Sequence, residues 1–124
     1  MAGTPGPASF PRTARLCQPT EFNHVFRNGG RSSDACFVVL ACANPESKAA
    51  RLGVSVAKKA VATASQRTRI KRVVRESFRL DRAQLPAVDI VVQARGAAAK
   101  RQNAELRASL DWHWQEVIKR CKSS

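Results

Sequence analysis

Acidic side chains are scarce in this sequence: nine Asp and Glu among 124 residues, placed singly along the chain. There is no Asp-x-Asp pattern and no paired carboxylate, so nothing is arranged to hold two metal ions as protein nucleases do. The four cysteines, Cys17, Cys36, Cys42 and Cys121, form no Cys-x-x-Cys, and His24 and His113 lie too far off to complete a zinc pattern. Each cysteine has apolar neighbours and reads as a small buried hydrophobe. Their even number would permit two disulfides, but nothing else points to secretion. Met1 to Ser9 has no charged start followed by an apolar run, and no stretch approaches the length of a membrane span. There is no Walker loop and no dinucleotide-binding glycine pattern. Neither histidine has a visible nucleophile or acid partner. These absences lead to an expectation of a cytoplasmic chain with no catalytic residues of its own, no bound metal and no organic cofactor.

Cations are what the sequence has in excess. Twenty-two Lys and Arg give a formal charge of +13, while 44% hydrophobic residues suffice for one compact domain. Such self-repulsion suits a polyanionic partner, because each cation seated on a phosphate releases condensed counterions. The alternatives are an anionic membrane surface or a solubility surface, although solubility surfaces usually mix both signs.

Residues 1–15, with Gly3, Pro5, Gly6, Pro7 and Pro11, read as a flexible tail, and residues 16–121 as a single domain. A short helix should begin at Pro19, where a missing N–H costs nothing, with Phe22, Val25 and Phe26 on one face and Gly29-Gly30 as its stop. Strands are expected over 36–42, closed by Asn44-Pro45, and over 52–56. A long helix should run from about residue 64 to 84, ahead of Pro86. A strand over 88–94 and a helix over about 103–120 complete the chain, the latter with Leu106, Leu110, Trp114, Val117 and Cys121 on its apolar stripe. Trp112 falls on the opposite side of that helix. The order predicts an α/β (α+β) sandwich with the sheet on one side and helices on the other.

The long helix carries the chemistry. At 100° per residue, Ile70, Val73, Val74, Ser77 and Leu80 fall on one side, and Lys71, Arg72, Arg75, Arg79 and Arg82 on the other, with Arg67 and Arg69 flanking the first turn. From Lys58 to Arg82 nine cations face only Glu76 and Asp81. A solvated face balanced by salt bridges is the plain alternative, and Glu76 can pair with Arg72 at i, i+4. One acid cannot balance so many arginines. Arginine also suits bidentate phosphate binding and stacking on bases.

Lys58-Lys59-Ala60-Val61, followed by Arg67-Thr68-Arg69-Ile70-Lys71-Arg72-Val73-Val74-Arg75-Glu76-Ser77-Phe78-Arg79, resembles the signature of the protein subunit of bacterial ribonuclease P. Arg67, Arg69, Lys71, Arg72, Arg75 and Glu76 match it residue by residue. Thr68 departs from it, standing where the family has Asn; it keeps a hydroxyl and loses the amide's paired donor and acceptor. Leu16…Pro19, Glu21-Phe22…Val25-Phe26 and Arg51-Leu52-Gly53-Val54-Ser55-Val56 are also similar to the family, and the likeness spans roughly residues 12–120.

The resemblance implies an α-β-β-β-α-β-α order, with the basic helix in a left-handed crossover between parallel strands, against the usual hand. It implies that Arg67, Thr68, Arg69, Lys71, Arg72, Arg75 and Arg79 face the catalytic RNA of ribonuclease P. It also implies that Phe22, Phe26, Phe37, Lys58 and Lys59 receive the 5′ leader of precursor tRNA. Hydrolysis would belong to the RNA and its Mg²⁺. Aromatic faces beside a basic groove suit single strands, since every base can stack. From periodicity alone, Phe22, Val25 and Phe26 are first of all a core-facing stripe, and both roles hold together only if the rings line an open edge of the core. The other reading of the whole chain is a structural ribosomal or RNA-assembly protein, its basic helix buried in folded RNA and no leader cleft present.

Overall fold

A computed structural model describes residues 19–44 and 49–123, and the side chains of 20, 22–44 and 49–120 among them. The expected tail, Cys17, the Asn44-Pro45 turn beyond Asn44 and the side chain of Cys121 lie outside that description. The elements run α1 (Pro19–Asn28), β1 (Gly30–Ser33), β2 (Phe37–Ala43), β3 (Arg51–Ser55), α2 (Ala64–Asp81), β4 (Val88–Ala94) and α3 (Asn103–Ser123). Short 3-10 turns at Arg82–Gln84 and Gly96–Lys100 follow α2 and β4. No helix among the described residues is long and apolar enough to cross a membrane.

The sheet order is β1-β2-β4-β3, with β1, β2 and β4 antiparallel in succession and β3 parallel to β4. The chain from β3 to its parallel neighbour passes through α2, the crossover that the resemblance implied. β1 is absent from the apolar pattern because Gly-Arg-Ser-Ser has no hydrophobic residue to reveal it. It forms by pairing along β2, Gly30 opposite Ala41 through Ser33 opposite Val38. The turn between these strands is fixed by Asp34, whose Oδ1 accepts the backbone N–H groups of Cys36 (2.9 Å) and Phe37 (2.8 Å). Carboxylates favour such turns because they replace a backbone acceptor two residues on.

Strand alternation divides the core in two. Phe37, Val39, Ile90, Val92 and Leu52 point to the face covered by α2 and α3, where they meet Ile70, Val74, Phe78, Leu110 and Trp114. Val38, Leu40 and Val91 point to the other face and pack with Val25 and Phe22 of α1. Helices therefore lie on both sides of the sheet, and the expected one-sided arrangement holds for α2 and α3 only. The physical reason is local: Gly29 alone joins α1 to β1, and Phe22 and Val25 of α1 close over the nearer face.

Gly29 ends α1 through close approach, not through a left-handed cap. No glycine among the described residues has a positive φ. A Cβ at Gly29 would stand 2.6 Å from the Val25 carbonyl oxygen and 3.1 Å from that of Ala41. The chain thus enters β1 flush against β2, which any side chain would prevent. At the far side of the sheet, Arg51 grips Asp89 with two hydrogen bonds of 2.8 Å, and Asn44 donates a third at 3.0 Å. These fasten the parallel pair at its entry, Arg51 lying opposite Asp89 in register.

Candidate nucleic-acid interface

The buried face of α2 is Ile70, Val73, Val74, Ser77 and Phe78. Phe78 stands where the sequence reading put Leu80, which is 67% exposed. The spacing explains the exchange: position 78 returns to the side of Ile70 and Val74, whereas position 80 is carried past it. Phe78 meets Trp114 of α3 edge-on, ring centres 5.9 Å apart at 69°, and the Trp114 indole N–H donates to Ser77 Oγ at 2.9 Å. That rigid seam holds the opposite side of α2 toward solvent. There Thr68 and Arg72 are exposed, with Lys71, Arg75 and Arg79 partly so.

Not every cation of the motif is displayed in this way. Arg67 folds back and donates through Nη1 to the carbonyls of Val61 (2.9 Å) and Ala62 (2.8 Å). Arg69 is spent on Gln66, Asn103 and the carbonyls of Ala98 and Ala99. Arg82 donates to the Ala50 carbonyl at 3.1 Å. Helical periodicity places a Cα on a face; it does not show how a long side chain bends. Glu76, expected to pair with Arg72, pairs with Arg107 of α3 at 3.1 Å, which leaves Arg72 its charge. Both partners of that pair are exposed, so it contributes little stability.

The second surface is the α1 face of the sheet. Phe22 lies across β3 at Gly53, and Val25 covers Val91 and Leu40. One register step further along the strands, Ser33, Val38, Gln93 and Ser55 stand side by side, with Ser33 exposed and Gln93 and Ser55 half-exposed. Phe26 is 41% exposed on α1. Phe37 does not belong here. It is fully buried on the α2/α3 face, because its strand position has the opposite parity to Val38 and Leu40, and its ring cannot receive a base.

Lys58 and Lys59 are exposed in the turn that follows β3. Arg95, also exposed, follows β4, and a Cβ at Gly96 would lie 3.2 Å from the Ala60 carbonyl oxygen. The two loops therefore touch, which puts three exposed cations on adjoining loops at the carboxyl ends of the two parallel strands, where α/β sheets commonly bind ligands. Sequence reasoning missed Arg95. Only the pairing of β3 with β4 brings it beside Lys58 and Lys59, and no local pattern announces parallel pairing.

The histidines, the two described cysteines, Asp34 and Asp81 are engaged within the fold. His113 is fully buried, with Nδ1 2.7 Å from Ser32 Oγ. Its Nε2 lies 3.4 Å from Asp34 Oδ1, out of hydrogen-bond alignment and without a partner. Burial holds this imidazole below its usual range, against the pull of Asp34. Ser109 donates to the other Asp34 oxygen, so the set ties α3 to the β1–β2 turn. Though it joins Ser, His and Asp, no substrate can reach an enclosed ring. His24 contacts Cys42 Sγ at 3.6 Å and Asn28 at 3.3 Å on the outside of α1. Burial raises the thiols of Cys36 and Cys42, keeping them protonated. Asp81 is also raised, by burial and by the neighbouring Asp111 carboxyl. Among the described residues no three His, Cys, Asp or Glu come close enough to hold a metal ion.

Fold and surfaces together define a class: small α/β proteins in which a crossover helix and the ends of two parallel strands present cations beside an aromatic-edged sheet. Residues 10–118 match the family model for ribonuclease P, and the chain belongs to that family. It is 47% identical over 116 residues to the ribonuclease P protein component of Methylococcus capsulatus, covering 93% of this chain and 89% of that one. It is 44% identical to the corresponding protein of Pseudoalteromonas atlantica, covering 96% and 98%. The solved ribonuclease P protein of Staphylococcus aureus superposes with a TM-score of 0.78 at 33% identity, over 86% of this chain and 95% of that one. That of Thermotoga maritima gives 0.74 at 30% identity, over 83% and 96%.

Proposed function

We propose that this chain is the protein subunit of a cytoplasmic ribonuclease P, in which it binds the catalytic RNA and the 5′ leader of precursor tRNA so that the leader is cut away to give the mature 5′ end. The cations on the outer side of α2 (exposed Arg72 with the partly exposed Lys71, Arg75 and Arg79), together with Thr68, meet the catalytic RNA. The leader lies on the open part of the α1 face, beside Phe26 and the edge of Phe22, and runs toward Lys58 and Lys59. The observation that carries this reading is the junction of the two loops. Gly96 against Ala60 joins the lysine turn to the loop that carries Arg95, where the half-exposed row of the sheet ends.

Cleavage itself is assigned to the RNA and its Mg²⁺. No residue set of this chain fits a metal ion among the described residues. What the chain supplies is positive charge that screens phosphate repulsion, and a surface that holds a single strand in one place. The experiment is processing of precursor tRNA by ribonuclease P RNA at low Mg²⁺, with and without the protein. The protein should restore cleavage there and should cut nothing alone. Correct cleavage by the RNA-free protein would overturn the assignment. No stimulation, with tight binding to ribosomal RNA fragments instead, would favour the ribosomal alternative.

A further inference from the structure

Arg69 sits in the signature helix, yet its surroundings differ from those of the cations around it. Its Nε donates to Gln66 Oε1 at 2.8 Å, one turn back along α2. Its Nη1 donates to Asn103 Oδ1 at 2.7 Å, the first residue of α3. Its Nη2 reaches the carbonyl oxygens of Ala98 and Ala99, each at 3.4 Å. All three guanidinium nitrogens are thus engaged, and every acceptor is a neutral oxygen of the protein. Two of the four acceptors belong to the connection between β4 and α3, and a third, Asn103, opens α3 where that connection ends. That connection is a short 3-10 segment, Gly96–Lys100, whose ends are closed by the Ala98 N–H on the Arg95 carbonyl and the Arg101 N–H on the Ala98 carbonyl.

We infer that Arg69 is a positioning residue that locks the 95–103 connection against the first turns of α2, and is not itself a phosphate ligand. The inference rests on the RNA-binding reading above. Arg95 and Lys100 are exposed on this connection. With the lock closed they are held beside the Lys58–Lys59 turn and the start of α2 as one cationic surface. With it open they hang on a mobile loop and must be ordered by the RNA at an entropic cost. Arg101 contributes less, being paired with Glu105 at 3.1 Å. Lysine cannot replace Arg69 here, because one ammonium cannot reach acceptors spread along two elements in a planar fork.

Double-mutant cycles on the reconstituted holoenzyme separate a lock from a ligand. Affinity for ribonuclease P RNA is measured for Arg69→Ala, Arg69→Lys and Asn103→Ala, and for Arg69→Ala in an Arg95→Ala/Lys100→Ala background. Arg69→Ala and Arg69→Lys should weaken binding by a similar factor, roughly tenfold. Asn103→Ala should reproduce part of that loss. In the Arg95→Ala/Lys100→Ala background, Arg69→Ala should add less than about twofold, since the cations it positions are gone. In the free protein, Arg69→Ala should speed hydrogen exchange at the Ala98 and Arg101 amides while distant core amides stay protected. Retention of affinity by Arg69→Lys, or losses that multiply in the combined variant, would make Arg69 a phosphate ligand and overturn the inference. Unchanged exchange at Ala98 and Arg101 would overturn it as well, whatever the RNA data show. Failure of the wider reading is seen elsewhere: Arg72→Ala, on the exposed side of α2, would then leave affinity intact.

Discussion

The Phe22 ring occupies the space that a side chain on Gly53 would need: a Cβ there would lie 2.5 Å from the ring's Cζ and 2.7 Å from Cε1. The glycine of Arg51-Leu52-Gly53 is therefore a seat for an aromatic ring, in a strand of ordinary backbone geometry. Gly53→Ala should push Phe22 off the sheet and cost about 1–3 kcal/mol, the usual penalty of overpacking. The cost is read from denaturant unfolding. Gly53→Ala combined with Phe22→Leu should recover part of that loss, because the smaller side chain makes room.

Phe26 gives the cleaner test of base stacking. Its ring is 41% exposed, so Phe26→Leu removes a π-face without opening the core. The variant should melt within a few degrees of the parent. Stacking on an aromatic is worth about 1–3 kcal/mol per base, so affinity for precursor tRNA should fall by roughly tenfold in the holoenzyme. Affinity for mature tRNA, which lacks the leader, should not change. Equal loss for both would remove Phe26 from the leader path.

Salt dependence distinguishes displayed cations from spent ones. Arg72 is exposed, and its expected acid Glu76 is taken by Arg107. Arg72→Ala should therefore reduce the slope of log K against log salt by about 1. Arg67, bonded to two backbone carbonyls, should behave differently. Its removal should lower stability and alter the slope less than Arg72→Ala does. Equal slope changes for the two variants would mean that Arg67 leaves its carbonyls when RNA binds.

Acid should loosen the attachment of α3 at His113. Burial depresses its pKa in the folded protein below the ordinary value of 6.5, although the carboxylates of Asp34 and Glu116 pull the other way and Arg120 adds to the depression. The unfolded chain then binds the proton more readily, so stability rises with pH across this interval. The contribution is complete above about pH 6.5 and is lost as pH falls through the folded pKa. Asp34, whose pKa is lowered overall despite its burial by the bonds from Ser109 and the Phe37 and Cys36 amides, adds a separate loss below about pH 4. Melting temperatures of the parent should drop between pH 7 and pH 5, and a His113→Asn variant should show a flatter profile there. Parallel profiles would place the titration in another group.

Most of the elements were legible from local pattern, because α2, β2 and β4 bury continuous or regularly spaced apolar residues. β4 is found where it was expected, and β2 and β3 within one residue. Three features were not legible, each for a stated reason. β1 has only Gly, Arg and Ser, and exists because β2 offers it an edge. The placing of α1 across the sheet from α2 and α3 depends on which parity of β2 meets Val25, and that put Phe37 in the core although the resemblance implied a leader-binding place. The division of the arginines into displayed and engaged depends in part on acceptors thirty or more residues away, as with Arg69 and Asn103 or Arg82 and Ala50, and for Arg67 on how the chain ahead of the helix turns its carbonyls. The family signature marked α2 as the helix expected to face RNA without revealing this division, since a motif records residue types and not what they touch.

The bonds at the two ends of α2 make it a bar clamped at both ends. Arg67 fastens its start to the chain at Val61 and Ala62, and Arg82 fastens its finish to Ala50. Along the helix the arginines follow a pitch of about 1.5 Å per residue, so that Arg72 and Arg79 stand some 10 Å apart along the axis. A limp polyanion must give up conformational freedom to match such a scale, whereas an RNA already folded to that spacing gives up little. On the proposed RNA-binding reading, the helix would act as a gauge that selects its partner by stiffness and contour as well as by charge.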